Sequence, residues 1–231
     1  MIESDWNPLL RADTVPLSTR DFADQFPSAQ VIGTDISPIQ PAWVPPNCEF
    51  YIDDAQLEWT WAPDYFDYIH IRDLYGSISD WSALYKRVYR HLKPGGWFED
   101  VELDIRVHSD VVTDPEHIFY RWNRVFQDAG EKMGKTFKIA IGSRMSDLMN
   151  EAGFVDVTER RFRLPMSPWC LDPKLKEVGQ FVQMFIDGGI EGFSLFLLTQ
   201  VVGWKYEECQ VFIAKMRQAL KNKKLNPYYE L

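Results

Sequence analysis

FDYIHIRDLYGSISDWSALYKRVYRHLKPGGWFEDVELD, residues 66–104, decides the fold class. It opens on a strand-like run, FDYIHI (66–71), and closes on another, WFEDVEL (97–103). Between them Trp81, Leu84, Tyr85, Val88 and Leu92 recur at helical spacing, Ser79 or Asp80 can cap the first turn, and Pro94-Gly95-Gly96 stops the run. A strand, a helix and a second strand in that order are the crossover unit of a parallel α/β sheet. Upstream, VIGTDI (31–36) and EFYID (49–53) add two more strand-like runs. Downstream the pattern turns mostly helical. A helix is predicted over 113–133, capped by Asp114, with Ile118, Phe119, Trp122, Val125, Phe126, Ala129 and Met133 in one stripe. A second spans 144–152 and ends on Gly153, and a strand follows over 154–164. A helix carrying Leu175, Val178, Phe181, Val182 and Phe185 is expected to break at Gly188-Gly189, with further helices over 191–203 and 206–221 and a last strand in NPYYEL.

The chain has 231 residues, 45% hydrophobic and 26% charged, values of an ordinary globular protein of one domain. We divide residues 1–231 into an atypical N-terminal segment (1–20), a sheet core (21–104), helices and a late strand (105–170) and a helical lid (171–225). Lys and Arg total 25 against 34 Asp and Glu, a formal charge of -9, so the field repels phosphate backbones and anionic lipid heads. Nucleic acid is excluded as a partner on that ground. Cys48, Cys170 and Cys209 are odd in number and far apart, which argues for reduced thiols and against a zinc site. His91, His108 and His117 have no second ligand at metal spacing, and no metal is expected. Met1 to Leu10 is acidic, unlike a signal peptide, and the apolar run Phe193 to Trp204 is too short for a bilayer. These features predict a protein without a membrane partner, in the cytoplasm or nucleus. A homodimer is compatible with them.

In open α/β sheets ligands bind beyond the carboxyl ends of the strands. Here those ends carry Asp35, then Asp53 and Asp54, then His70, Arg72, Asp73 and Tyr75, then Glu99, Asp100, Glu102 and Asp104. An acid after the first strand can accept two hydrogen bonds from ribose hydroxyls, as Asp35 could.

The runs FADQFPSAQVIGTDISPIQP (22–41), WVPPNCEFYIDDA (43–55), 66–81 and 84–104 resemble the class I S-adenosylmethionine-dependent methyltransferases of fungi, in particular the family similar to the secondary-metabolism regulator LaeA. MSDLMNEAGF (145–154), EGFSLFLLTQVVGW (191–204) and NPYYEL (226–231) fit the same family. The resemblance implies a Rossmann-like class I methyltransferase fold with a truncated N-terminal strand and an added helical lid. It implies that Asp35 holds the cofactor's ribose, that Asp54 beside Ala55 faces the adenine amino group, and that IHIRDL lies under the reactive methyl. Glu99, Glu102 and Asp104 match family acids, while Asp100 stands where an apolar residue is usual. The departure is at the front. The family places a strand and a GxGxG turn where this chain has LLRADTVPLSTR (9–20), and no glycine precedes Gly33. Glycines there let the backbone approach the methionine end of the cofactor, which Thr, Val and Pro do not allow at the same cost.

That departure leads to the expectation that no cofactor is used. The fold is then a small-molecule enzyme of secondary metabolism that cyclises, isomerises or rearranges an apolar, polyketide- or terpene-like metabolite. His70, Asp73, Tyr75 and Glu102 are the expected catalytic groups, because an imidazole and a desolvated carboxyl can exchange a proton near neutral pH. Phe181, Phe185, Phe193, Phe196 and Trp204 would form an aromatic roof, and Trp6, Leu9, Leu10 and Leu17 would plug the vacant cofactor site. In that case Asp35 and Asp54 are vestigial. The alternatives are an S-adenosylmethionine-dependent methyltransferase with an atypical cofactor loop and a non-catalytic regulatory relative.

Overall fold

A computed structural model describes residues 19–38 and 43–231. The residues named as plugs, and most of the stretch standing where the glycine loop is expected, lie outside the described residues. The chain divides into two compact units, Met1–Trp59 and Thr60–Leu231, and each is described by itself.

In the first unit, helix α1 (Thr19–Gln25) precedes strands β1 (Val31–Asp35) and β2 (Cys48–Ile52). The strands pair in parallel, with Val31 opposite Cys48 and Asp35 opposite Ile52. Two devices fix this unit. The Asn47 side-chain amide lies 2.9–3.1 Å from the carbonyls of Ala23, Phe26 and Ala29, tying the end of α1 to the entry of β2. Gly33 admits the Phe50 ring, since a Cβ there would sit 2.4 Å from its Cε1.

The second unit opens with the predicted crossover: β3 (Phe66–Arg72), α2 (Trp81–His91) and β4 (Leu92–Val101). Of the two candidate caps, Asp80 is the one used, its carboxylate accepting the Ala83 amide at 2.9 Å. Trp81, Leu84, Tyr85 and Val88 are buried, as their spacing required. Strands β3 and β4 are parallel, with His70 opposite Glu99 and Ile71 opposite Asp100. Period-two alternation puts Tyr68, His70, Trp97 and Glu99 on one face. The other carries Ile69, Ile71, Phe98 and Asp100, and there Tyr85 of α2 meets Phe98 edge-on, with ring centroids 5.3 Å apart. Helix α3 (Ile118–Lys132) begins at His117, whose ring accepts the Phe119 amide; the expected cap Asp114 closes the preceding turn instead. Helix α4 (Arg144–Ala152) ends on Gly153 at φ 108° and packs on α2.

The remaining strands form an antiparallel sheet in which the C-terminal β7 (Tyr228–Glu230) lies between β5 (Asp104–His108) and β6 (Arg163–Pro165). The expected strand over 154–164 is thus three residues long, and β5 is not among the predicted strands. Helix α5 (Pro173–Phe196) continues as a π-helical stretch (Leu197–Val202) to Gly203, and α6 (Tyr206–Lys221) returns against it. The predicted break at Gly188-Gly189 does not occur. Ile186 and Ile190, buried on either side, hold the helix through the pair. Together α5 and its π extension run 30 residues, long and apolar enough to cross a membrane by length and composition alone. One side of this helix belongs to the core: Ile186, Ile190, Leu197 and Leu198 join Phe126 and Phe212 in the main apolar cluster. Trp122 stacks on both rings, at 4.4 and 5.2 Å.

Asn123 is the polar exception in that core. Its side chain takes the place of a neighbouring strand for Val107, accepting the Val107 amide at 2.8 Å and donating to the Val107 carbonyl at 3.0 Å. Asn123→Ala leaves both groups buried and unpaired and is expected to destabilise the fold by about 2 kcal/mol, read by urea denaturation. A change below about 0.5 kcal/mol would show that water replaces the amide.

Candidate functional site

In the first unit the chain reaches the carboxyl ends of β1 and β2 with three acids. The main chain joins the two ends directly, the Asp53 amide donating to the Asp35 carbonyl at 3.0 Å. Asp35 Oδ1 accepts the Ser37 amide at 2.8 Å, and Asp54 Oδ1 accepts the Gln56 amide at 2.9 Å. Each carboxylate therefore uses one oxygen to hold its own loop, in the Asx-turn manner. For the second oxygen of each there is no hydrogen-bond partner among the described residues. Two half-buried acceptors on adjacent parallel strands suit a ligand rich in hydroxyl and amino donors.

In the second unit the candidate catalytic residues separate onto the two faces of the β3–β4 pair. On one face, Glu99 Oε2 accepts from Tyr68 Oη at 2.6 Å and lies 2.9 Å from His70 Nδ1. The hydrogen bond from His70 holds the Glu99 carboxyl below its ordinary range, against the opposing effect of burial, and Tyr68 adds to it. An ionised Glu99 can only accept, so Nδ1 carries a proton and donates it to the carboxylate. Nε2 is buried and has no partner among the described residues.

The opposite face carries a different network. Asp100 accepts from Tyr85, and Glu102 receives the backbone amides of Leu74 and Tyr75, one on each oxygen at 2.8 Å. Burial pushes both carboxyls well above their usual range, and the charge of Asp100 raises Glu102 further. Glu102 thereby pins the turn after β3. Asp73 sits in that turn at φ 56°, exposed and paired with Arg72 at 3.1 Å. Tyr75 packs against Phe137, and burial, followed by the charges of Asp73 and Glu102, pushes its phenol up to about 12. Asp73, Tyr75 and Glu102 thus gather around one turn, while His70 works with Glu99 and Tyr68 on the other face. The sequence marks Glu99 only as a matching acid and does not single out Tyr68. A signal for Tyr68 is nonetheless present: it and His70 are two apart in a strand and so share a face.

The aromatic roof is not assembled. Trp204 packs on Phe212 in the core, with ring centroids 5.0 Å apart. Phe181, Phe185, Phe193 and Phe196 are exposed along α5. Helices α5 and α6 pack on α3, on β6 and on each other rather than over β3 and β4.

A third cluster lies on the antiparallel sheet. Asp104, His108 and Glu230 bring ligand atoms within 4.8 Å of one another. Arg106 forks the buried Asp104 carboxylate at 2.6–3.0 Å, so a cation there would face a guanidinium. Burial pushes Asp104 up, but hydrogen bonds from His108 and Arg106 outweigh it. The cluster braces β5 against β7. Beside it is a cavity of about 290 Å³ lined by His108, Asn123, Arg124 and Tyr228 among others.

Residues 18–159 match the family described as Methyltransferase domain. Methyltransferase pytC of Aspergillus terreus is 38% identical over 204 residues, covering 87% of this chain and 62% of the relative. The secondary metabolism regulator LAE1 of Cochliobolus heterostrophus is 34% identical over 212 residues, covering 90% of this chain and 68% of the relative. The protein-methionine methyltransferase laeA of Emericella nidulans is 31% identical over 209 residues, 90% of this chain and 56% of the relative. The chain thus spans between 56% and 68% of the length of these relatives. These matches overturn the expectation that no cofactor is used: the matched domain is a methyltransferase domain, and methyl transfer takes S-adenosylmethionine as its donor. They support the methyl-transfer alternative over cofactor-free cyclisation.

Proposed function

The chain belongs to the methyltransferase-domain family and has its Rossmann-like class I fold, and from that premise we propose that it is the core of an S-adenosylmethionine-dependent methyltransferase of fungal secondary metabolism. The observation that carries the proposal is the pair Asp35 and Asp54 on neighbouring strand ends, each with one oxygen committed to its loop and one without a partner among the described residues. The residues fit the adenosine end of the cofactor. Asp35 would hold the ribose hydroxyls and Asp54 the adenine amino group. The bound cofactor supplies an electrophilic methyl group. The acceptor is a small, largely apolar molecule, since a charge of -9 disfavours nucleic acid. Cys48, Cys170 and Cys209 are all free, which suits a reducing intracellular compartment.

Calorimetric titration with S-adenosylhomocysteine tests this reading. Micromolar or tighter binding is expected for the wild type. Asp35→Ala removes a charged acceptor worth about 1.5–3 kcal/mol, so affinity should fall ~10- to 100-fold. No detectable binding by the wild type overturns the proposal.

A further inference from the structure

We propose that the cavity between β5 and α3 is a ligand site for a small aromatic carboxylate, held by the guanidiniums of Arg106 and Arg124. The site lies wholly within the second unit, includes neither Asp35 nor Asp54, and does not rest on the methyl-transfer reading. Its volume of about 290 Å³ is near the lower end of the range for small-molecule sites, which suits a ligand of one or two rings. The walls are fixed from three sides. Asn123 bonds both backbone groups of Val107 and so holds α3 against β5. Tyr120 Oη donates to the Val112 carbonyl at 2.8 Å, and the Ser109 hydroxyl accepts the Val112 amide at 3.2 Å, which sets the loop after β5. On the third side the His108 and Tyr228 rings stack with centroids 5.5 Å apart, and both contribute aromatic surface to the lining. Walls held in place before binding spare a ligand the cost of ordering them.

Charge selects the ligand. The chain carries -9 overall, yet among the described residues no Asp or Glu lines this cavity, while Arg106 and Arg124 both do. The acids on neighbouring elements are already engaged: Asp104 by Arg106, Asp110 by Arg163 at 2.7 Å and the Tyr228 hydroxyl at 3.0 Å, and Glu230 by Arg161 at 3.5 Å. Arg106 meets Asp104 through Nε and Nη2, and its Nη1 makes no hydrogen bond among the described residues. Arg124 gives Nη1 to the Pro115 carbonyl at 3.2 Å. Its Nη2 lies 3.7 Å from Glu116 in a pair whose side chains are 54% and 80% exposed, an arrangement worth little and readily exchanged for another anion. Two guanidiniums with donors to spare match a carboxylate, which can accept from both. Val107, Val112 and Phe119 supply apolar wall, so the body that carries the carboxylate is a hydrocarbon ring. A bare phosphate would leave that apolar surface uncovered.

Amide chemical-shift titration of the nitrogen-15-labelled full chain, with benzoate and the neutral isostere benzamide as probes and no cofactor present, tests the site. Benzoate should bind with a Kd of about 5 mM or tighter, and at least ~10-fold more tightly than benzamide. The amides of Val107 and Tyr228 should move, and those of Phe185 and Phe196 on the exposed side of α5 should not. Arg124→Gln should weaken benzoate ~10-fold or more. Gln127 also lines the cavity and makes no hydrogen bond among the described residues, so Gln127→Glu adds a negative charge there at no cost to an existing bond. It too should weaken benzoate ~10-fold. The spectrum of each variant reports that it folds, and both positions lie on the outer side of α3. An affinity for benzoate no greater than for benzamide overturns the site, as does an affinity unchanged in either variant. Shifts confined to α5, or no saturable binding over tens of millimolar benzoate, overturn it as well.

Discussion

Unfolding free energy should fall as the pH is raised from about 5 to about 9, because the buried acids behind β4 hold a proton that the unfolded chain gives up. Burial raises Asp100 and Glu102, with Glu102 pushed up to about 9. At low pH both states are protonated and this contribution is intact. Above the ordinary carboxylate range the unfolded chain ionises first, and the stabilisation is lost progressively until the folded carboxyl ionises too. A tenfold difference in proton affinity between the folded and unfolded chain is worth about 1.4 kcal/mol, so a loss of at least about 3 kcal/mol across the window is expected. The carboxyls whose ionised form is favoured, Glu99 and Asp104 among them, act with the opposite sign but below this window, where their contribution is lost as the pH falls. Urea denaturation at pH 5.5, 7.0 and 8.5 reads the slope. Asp100→Asn keeps an oxygen for Tyr85 and removes one buried acid and its charge on Glu102, so it should flatten part of the decline, while burial of Glu102 sustains the rest. A stability that stays level or rises over that interval contradicts a shared buried proton.

Gly179→Ala should cost ~2–3 kcal/mol although alanine is the better helix former. The added Cβ would lie 2.4 Å from the carbonyl oxygen of Ser167 and 2.7 Å from its carbonyl carbon, both backbone atoms. That backbone cannot retreat easily. Met166 and the Trp169 indole both donate to the Pro227 carbonyl, and the Trp169 amide bonds to Ser167 itself at 2.8 Å. The strain passes to α5, which must rise off the segment and lift Ile186 and Ile190 from the core. Gly192 is the control within the same helix. Among the described residues nothing lies within 4 Å of a Cβ built there, so Gly192→Ala should stabilise by roughly 0.5–1 kcal/mol. Thermal or urea denaturation of the pair checks the contrast. Equal effects at the two positions would mean that helix propensity, not contact with residue 167, governs both.

The crossover was legible because its signals agree. The stripe on α2, the Asp80 cap and the two strand runs each point to the same unit, and all are local. Where signals conflicted, tertiary packing decided. Gly188-Gly189 reads as a helix break, yet Ile186 and Ile190 on either side are buried and the helix runs on. PGG reads as a stop, yet β4 begins before it, at Leu92 opposite Phe66. Strand β5 escapes a sequence reading because its partner is more than a hundred residues away, and a run of five residues carries little periodicity of its own. The site was half visible. Strand-end acids can be found by position in the chain, but which face each one serves follows from register. His70 meets Glu99 because they are paired across β3 and β4, while Glu102 turns to the loop amides. The aromatic roof failed for a similar reason: helical spacing groups Phe181, Phe185 and Phe196 on one stripe without saying what, if anything, covers it.

That stripe has a colloidal consequence. Phe181, Met184, Phe185 and Phe196 are 62–73% exposed, and two of the helix's acids, Asp187 and Glu191, are turned toward α6, where Lys221 and Arg217 pair with them. Those pairings draw the charge of the helix away from the outer side of the apolar run between Phe181 and Phe196. What keeps two such surfaces apart in dilute solution is long-range repulsion from the net charge of -9. Added salt shortens that repulsion to about 8 Å at physiological ionic strength, and approach to the isoelectric point near 5.0 abolishes it. Ionic strength and acidity, rather than protein concentration alone, set how often these molecules touch.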